Sequence, residues 1–87
     1  MLIALKFVNS MIKIYSTPTC PYCVALKNFL KDKGIEFDDI DVSLDAKAQD
    51  EMVKKSGQLG VPVIDIDGEI VIGFDRQRIT SLLKIKD

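Results

Sequence analysis

Two thiols set two residues apart are suited to one kind of chemistry. In Cys20-Pro21-Tyr22-Cys23 the spacing is too short for a disulfide that ties distant segments together, because the small loop it closes removes little chain entropy. It suits a pair that cycles between dithiol and disulfide in place. These are the only cysteines among the 87 residues, and there is no histidine. A structural zinc site takes four ligands, mostly Cys and His, so only a metal bridging two chains would satisfy one here. Two inert core cysteines would leave the proline between them unexplained.

The nucleophile in thiol–disulfide exchange is the thiolate, so the pair must sit where an anion is stabilised. The flanking pattern supplies such a place. Upstream, Ile12 and Ile14 alternate with Lys13 and Tyr15 as in a strand, and downstream Ala25, Leu26, Phe29 and Leu30 recur at helical spacing. The cysteines therefore fall at a strand-to-helix junction with Cys20 as the cap. There, unsatisfied N–H groups and the positive end of the helix dipole favour a sulfur anion, and the Cys20 sulfur is expected to accept from the Cys23 amide. Pro21 takes the first helical position, where its missing N–H costs nothing. Cys23 precedes Leu26 and Leu30 by three and seven positions, so it shares their apolar face and is expected to be buried. The expectation is an exposed nucleophile at Cys20 and a resolving thiol at Cys23. With no imidazole in the chain, activation must come from the helix end and local hydrogen bonds.

The elements that position this pair fit one small domain. Hydrophobic residues make up 47% of the chain, enough for a core, and the net charge is −1 with both signs interspersed. That balance offers no basic face for nucleic acid or an anionic membrane, and no apolar run approaches the ~20 residues of a membrane span. Residues 1–10 read as an N-terminal extension ahead of a domain over residues 11–87. Leu2, Ile3, Leu5, Phe7 and Val8 argue that part of this extension packs. It lacks a basic region before its apolar part and is shorter than the ~15–30 residues of a signal peptide. The expected setting is therefore the reducing cytoplasm, where a close dithiol is catalytic rather than structural.

In order, Ile12 to Ser16 reads as a strand and Pro21 to Lys33 as a helix, with Gly34 placed to cap it in the left-handed conformation. A second strand is expected over residues 35–42. Ser43 or Asp45 caps a second helix with Leu44, Ala48 and Met52 on one inward stripe, ended by Gly57. Val63, Ile64 and Ile66 mark a third strand. Asp67-Gly68 signals a two-residue hairpin into a return strand over residues 69–72, and Asp75 caps a last helix with Ile79, Leu82 and Leu83 inward. The order βαβαββα can build one four-stranded mixed sheet flanked by three helices, an α/β fold.

With these motifs in register, the sequence from residue 11 onward resembles the glutaredoxins. Cys20-Pro21-Tyr22-Cys23 matches their dithiol motif, Val61-Pro62 their Val-Pro before the third strand, and Gly73-Phe74-Asp75 their Gly-x-Asp after the fourth. The resemblance implies the thioredoxin fold and thiol–disulfide exchange, with no permanently bound cofactor and glutathione as co-substrate. It implies a cis bond before Pro62 that turns the Val61 backbone toward a substrate cysteine, so that a substrate segment pairs there as a short strand. It further implies that Gly73, Phe74 and Asp75 at the start of the last helix take the γ-glutamyl carboxylate of glutathione, with Tyr22 flanking the groove. The family usually has a basic residue at the position of Thr17, Thr at Gly60, Gly at Ile72 and a second acid at Arg76. These departures touch glutathione recognition rather than the dithiol, with Lys55 or Gln58 the candidate for the glycine carboxylate.

Three functions follow from the resemblance. The first is a monomeric oxidoreductase that reduces disulfide-containing proteins or glutathione mixed disulfides. The second is an electron donor of the ribonucleotide-reductase redoxin type, reduced by a thioredoxin-type reductase in place of glutathione. The third is an iron–sulfur carrier using Cys20 and glutathione from two chains. Pro21 and Tyr22 argue against the third, because cluster-binding members have smaller residues there.

Overall fold

The computed structural model describes residues 12–85; the expected extension over residues 1–10 lies outside them. The elements are β1 (Ile12–Ser16), α1 (Pro21–Asp32), β2 (Asp38–Asp41), α2 (Ala46–Ser56), β3 (Val63–Ile66), β4 (Glu69–Ile72) and α3 (Arg76–Leu83). The sheet order is β2-β1-β3-β4. β1 runs parallel to β2, with Ile14 opposite Asp39, and antiparallel to β3, with Ile14 opposite Ile64. β3 and β4 form the hairpin, turning through Asp67 and Gly68, both at positive φ. This is the thioredoxin-fold arrangement expected from the sequence.

Strand alternation splits the apolar residues between two layers. On one face Ile12, Ile14, Ile64, Ile66 and Val71 pack with Leu26 and Leu30 of α1 and Ile79 of α3. On the other, Tyr15 and Val63 pack with Ala48 and Met52 of α2 and with Val42. The domain is thus a sheet covered on both sides, and the β1–α1 junction lies at one end of β1, one of its two central strands.

Two expectations are corrected. The second strand covers only Asp38–Asp41, not residues 35–42. The end of α1 explains this: the Gly34 amide donates to the Lys31 carbonyl and the Ile35 amide to the Leu30 carbonyl, the paired bonds of a left-handed helix stop. Ile35 is therefore committed to the helix end, and pairing with β1 begins only at Asp38. Leu44 is not on the inward stripe of α2 but precedes the helix, 85% exposed. Asp45 takes the cap, accepting from the Lys47 and Ala48 amides at 3.0 and 3.1 Å, while Ser43 turns back to donate to Asp41.

Candidate functional site

Cys20 is the N-cap of α1, in extended conformation, with Pro21 following it in the first turn. Its sulfur accepts from the Cys23 amide at 3.2 Å, one of the donors a helix start leaves unpaired. The same thiol lies 4.0 Å from the Val61 carbonyl, and the Val61–Pro62 bond is cis. The helix start and the loop before β3 therefore converge on one sulfur. Both cysteines are free, Cys20 partly accessible and Cys23 buried.

Cys23 sits on the α1 face that also buries Leu26 and Leu30. Burial, followed by its hydrogen bond with Cys20, pushes the Cys23 thiol from its ordinary value of 9.0 up to about 11, while a backbone hydrogen bond from Thr17 and the charge of Lys27 pull the other way. One thiol is thus presented at the surface and held by a helix amide. Its neighbour, one turn on, stays protonated and apolar.

Around them, Tyr22 is 69% exposed on the first turn of α1. Gly73 is at positive φ and spends its amide on the Pro62 carbonyl at 2.8 Å, tying the end of β4 to the cis-proline loop. Phe74 turns to the α1/α3 layer, its ring tilted against Phe29 with centroids 5.6 Å apart. Asp75 caps α3 by accepting from the Arg78 amide at 3.2 Å.

Lys55 and Gln58 are both engaged inside the protein. Lys55 Nζ donates to Asp65 at 2.7 Å and to the hydroxyl of the buried Tyr15 at 3.0 Å. Burial alone would lower the Lys55 pKa, but these hydrogen bonds and the attraction of Asp65 outweigh it and hold it above its ordinary value. Burial would raise Asp65, yet the Lys55 and Gly68 hydrogen bonds hold it below the usual carboxylate value. Gln58 closes on the backbone of Gly60: its side-chain oxygen accepts from the Gly60 amide at 2.8 Å and its nitrogen donates to the Gly60 carbonyl at 3.0 Å. A Cβ at Gly60 would lie 2.7 Å from that oxygen.

Sequence reasoning missed a polar cluster beside the cysteines. Lys27 of α1 reaches the end of β1 at Ser16 and the carboxylate of Asp39 on β2. Its position four residues after Cys23 was a usable signal. Asp39 gave none, because only the parallel β1–β2 register brings it there. Among the described residues no group of Cys, His, Asp and Glu side chains is arranged to hold a metal ion, and no helix is long and apolar enough to cross a membrane.

The family model described as Glutaredoxin matches residues 12–71. An uncharacterized glutaredoxin-like 8.6 kDa protein in the rubredoxin operon of Clostridium pasteurianum is 53% identical over 74 residues, covering 85% of this chain and 99% of that one. Glutaredoxin 3 of Escherichia coli K12 is 39% identical over 64 residues, 74% of this chain and 77% of its own length. The crystal structure of a thioredoxin-like protein superposes with a TM-score of 0.82 at 36% identity, covering 86% of this chain and 96% of that one. The matched stretch contains the helix-capping dithiol and the cis-proline loop, and the chain belongs to the glutaredoxin family, redox proteins of the thioredoxin superfamily.

Proposed function

We propose that this chain is a dithiol oxidoreductase in which Cys20 attacks a substrate disulfide and Cys23 resolves the product. The supporting observation is the pairing of a capped, accessible sulfur with a buried one a single turn behind it. In the first half-reaction the Cys20 thiolate attacks one sulfur of R–S–S–R′; a mixed disulfide forms and R′S⁻ leaves and takes a proton. In the second, Cys23 gives up its proton and attacks Cys20, releasing RSH and leaving the Cys20–Cys23 disulfide. Two thiols of an external reductant then restore the dithiol. The Val61 backbone beside Cys20 supports a role in aligning the substrate segment, and Tyr22 in flanking it. The start of α3, after Gly73 and Asp75, is our candidate for meeting a ligand carboxylate.

A reductase-supplied variant of the same chemistry is favoured by a specific observation. Lys55 and Gln58, the candidates for a glutathione carboxylate, are turned onto Asp65, Tyr15 and Gly60. On this reading the electrons come from a thioredoxin-type reductase, and glutathione is the weaker donor. The test compares reduction of the oxidised protein by glutathione with glutathione reductase against reduction by thioredoxin reductase with NADPH. Cys20→Ser is expected to abolish exchange with either donor. Cys23→Ser is expected to keep mixed-disulfide chemistry with glutathione and lose reduction of protein disulfides. Wild-type activity in Cys20→Ser would overturn the assignment.

A further inference from the structure

The segment that leads from α2 to the cis-proline loop is made of residues that hold a backbone poorly. Gly57 ends α2 at φ 76, and Leu59 and Gly60 after it are exposed. Glycine loses more conformational freedom on ordering than any other residue, and Gly60 immediately precedes Val61. Among the described residues the Val61 carbonyl meets only the Cys20 thiol, at 4.0 Å, and the Val61 amide meets no acceptor. An unpaired amide and carbonyl beside the nucleophile can receive an extended segment, and do so at least cost when the chain that carries them is already in place.

Gln58 keeps it in place. Its side-chain oxygen accepts from the Gly60 amide at 2.8 Å, while Nε2 donates to the Gly60 carbonyl at 3.0 Å and to Ser56 Oγ at 3.3 Å. Three of the four hydrogen bonds open to a carboxamide are thus made within this short segment. The Ser56 hydroxyl in turn donates to the Met52 carbonyl at 2.8 Å, and the Met52 side chain is fully buried. A continuous run of contacts therefore leads from the core through Ser56 and Gln58 to the residue before Val61. Gly60 is not among the glycines at positive φ, so its backbone does not itself demand glycine. What a side chain there would meet is the Gln58 oxygen, 2.7 Å from the Cβ position.

We infer that Gln58 is a positioning residue that holds the Gly60–Val61 backbone ready for a disulfide carried on an extended polypeptide. The chain thereby favours such disulfides over small ones that have no backbone to pair. The inference rests on the proposed role of the Val61 backbone in aligning the substrate segment.

Two mixed disulfides of thionitrobenzoate test it, one with the cysteine of a blocked, extended peptide and one with 2-mercaptoethanol. In each, the Cys20 thiolate bonds to the peptide or mercaptoethanol sulfur, the S–S bond to thionitrobenzoate breaks, and the coloured thiolate leaves. The reduced wild type should reach half its limiting rate at a lower concentration of the peptide disulfide than of the small one. Ordering one residue's backbone on binding weakens affinity by about tenfold. Gln58→Ala should therefore raise the half-saturating peptide concentration about tenfold and leave the limiting rate and the mercaptoethanol reaction unchanged. A fold disturbed as a whole would change both substrates alike. Gly60→Ala, which pushes the Gln58 oxygen off the Gly60 amide, should act in the same direction by a smaller factor and add no further loss to Gln58→Ala. An unmoved half-saturating concentration in Gln58→Ala, a change shared equally by both disulfides, or a further loss in the double variant would overturn the inference. A wild type with no preference for the peptide would instead overturn the aligning role of Val61.

Discussion

Replacing Cys23 by alanine removes a group whose ionisation is linked to folding, and the effect has a definite sign. In the unfolded chain this thiol ionises near 9.0; in the native protein burial and the Cys20 hydrogen bond push it up to about 11. Below the lower value both states keep the proton, and the stabilising contribution is fully present. As pH rises between the two values the unfolded state sheds a proton that the native state retains, so ionisation draws the equilibrium toward unfolding. Each unit of difference corresponds to about 1.4 kcal/mol, so the contribution lost on passing through the native value is about 3 kcal/mol for the two units here. Tyrosines and lysines also titrate in this range, but they do so in both proteins, so the difference between wild type and Cys23→Ala reports the Cys23 thiol together with its hydrogen-bonded partner Cys20. The assay is urea unfolding of the fully reduced proteins from pH 8 to 11. The wild type should start more stable, because alanine leaves a small void under α1, and the gap should narrow by 2–3 kcal/mol (an order-of-magnitude figure) toward the alkaline end. Parallel curves across the whole range would refute the argument that Cys23 is desolvated in the native state.

Further outcomes follow from the same packing and charge arguments. Lys55→Met strands the Asp65 carboxylate and the buried Tyr15 hydroxyl and should cost about 2 kcal/mol in chemical denaturation. Because Asp65 is held below its ordinary value of 3.8, its contribution is present above that pH and is lost as pH falls through the native value; Lys55→Met should flatten this acid-side loss. Met52→Ala empties a fully buried site between α2 and the sheet and should cost about 2–5 kcal/mol, read as a lower urea midpoint with unchanged slope. Gly57 ends α2 at φ 76 with open space where a Cβ would go, so Gly57→Ala should cost about 1 kcal/mol through backbone strain alone.

The dithiol and its helix were legible because their signals are local. A proline after a capping cysteine, an apolar face at positions 23, 26 and 30, and a glycine at the helix end each act within one or two turns. The same holds for the Asp67-Gly68 turn and the caps at Asp45 and Asp75. The misread pieces depend on competition between neighbours. Residues 35–37 have strand-like composition, but the stop of α1 claims the Ile35 amide. Leu44 has helical spacing to Ala48, but Asp45 caps first and leaves it outside. The polar side of the site was hidden for another reason: Lys27, Ser16 and Asp39 meet only through the β1–β2 register, and Lys55 reaches Tyr15 and Asp65 only across the sheet.

The clasp of Gln58 on Gly60 couples these two positions. A Cβ at 60 would meet only the Gln58 side-chain oxygen, 2.7 Å away at the free end of a flexible side chain, so a residue there displaces that oxygen from the Gly60 amide and leaves the backbone in place. Replacing Gln58 would free the Gly60 amide and carbonyl, next to Val61, for other partners. Either change therefore unlatches the same stretch of backbone.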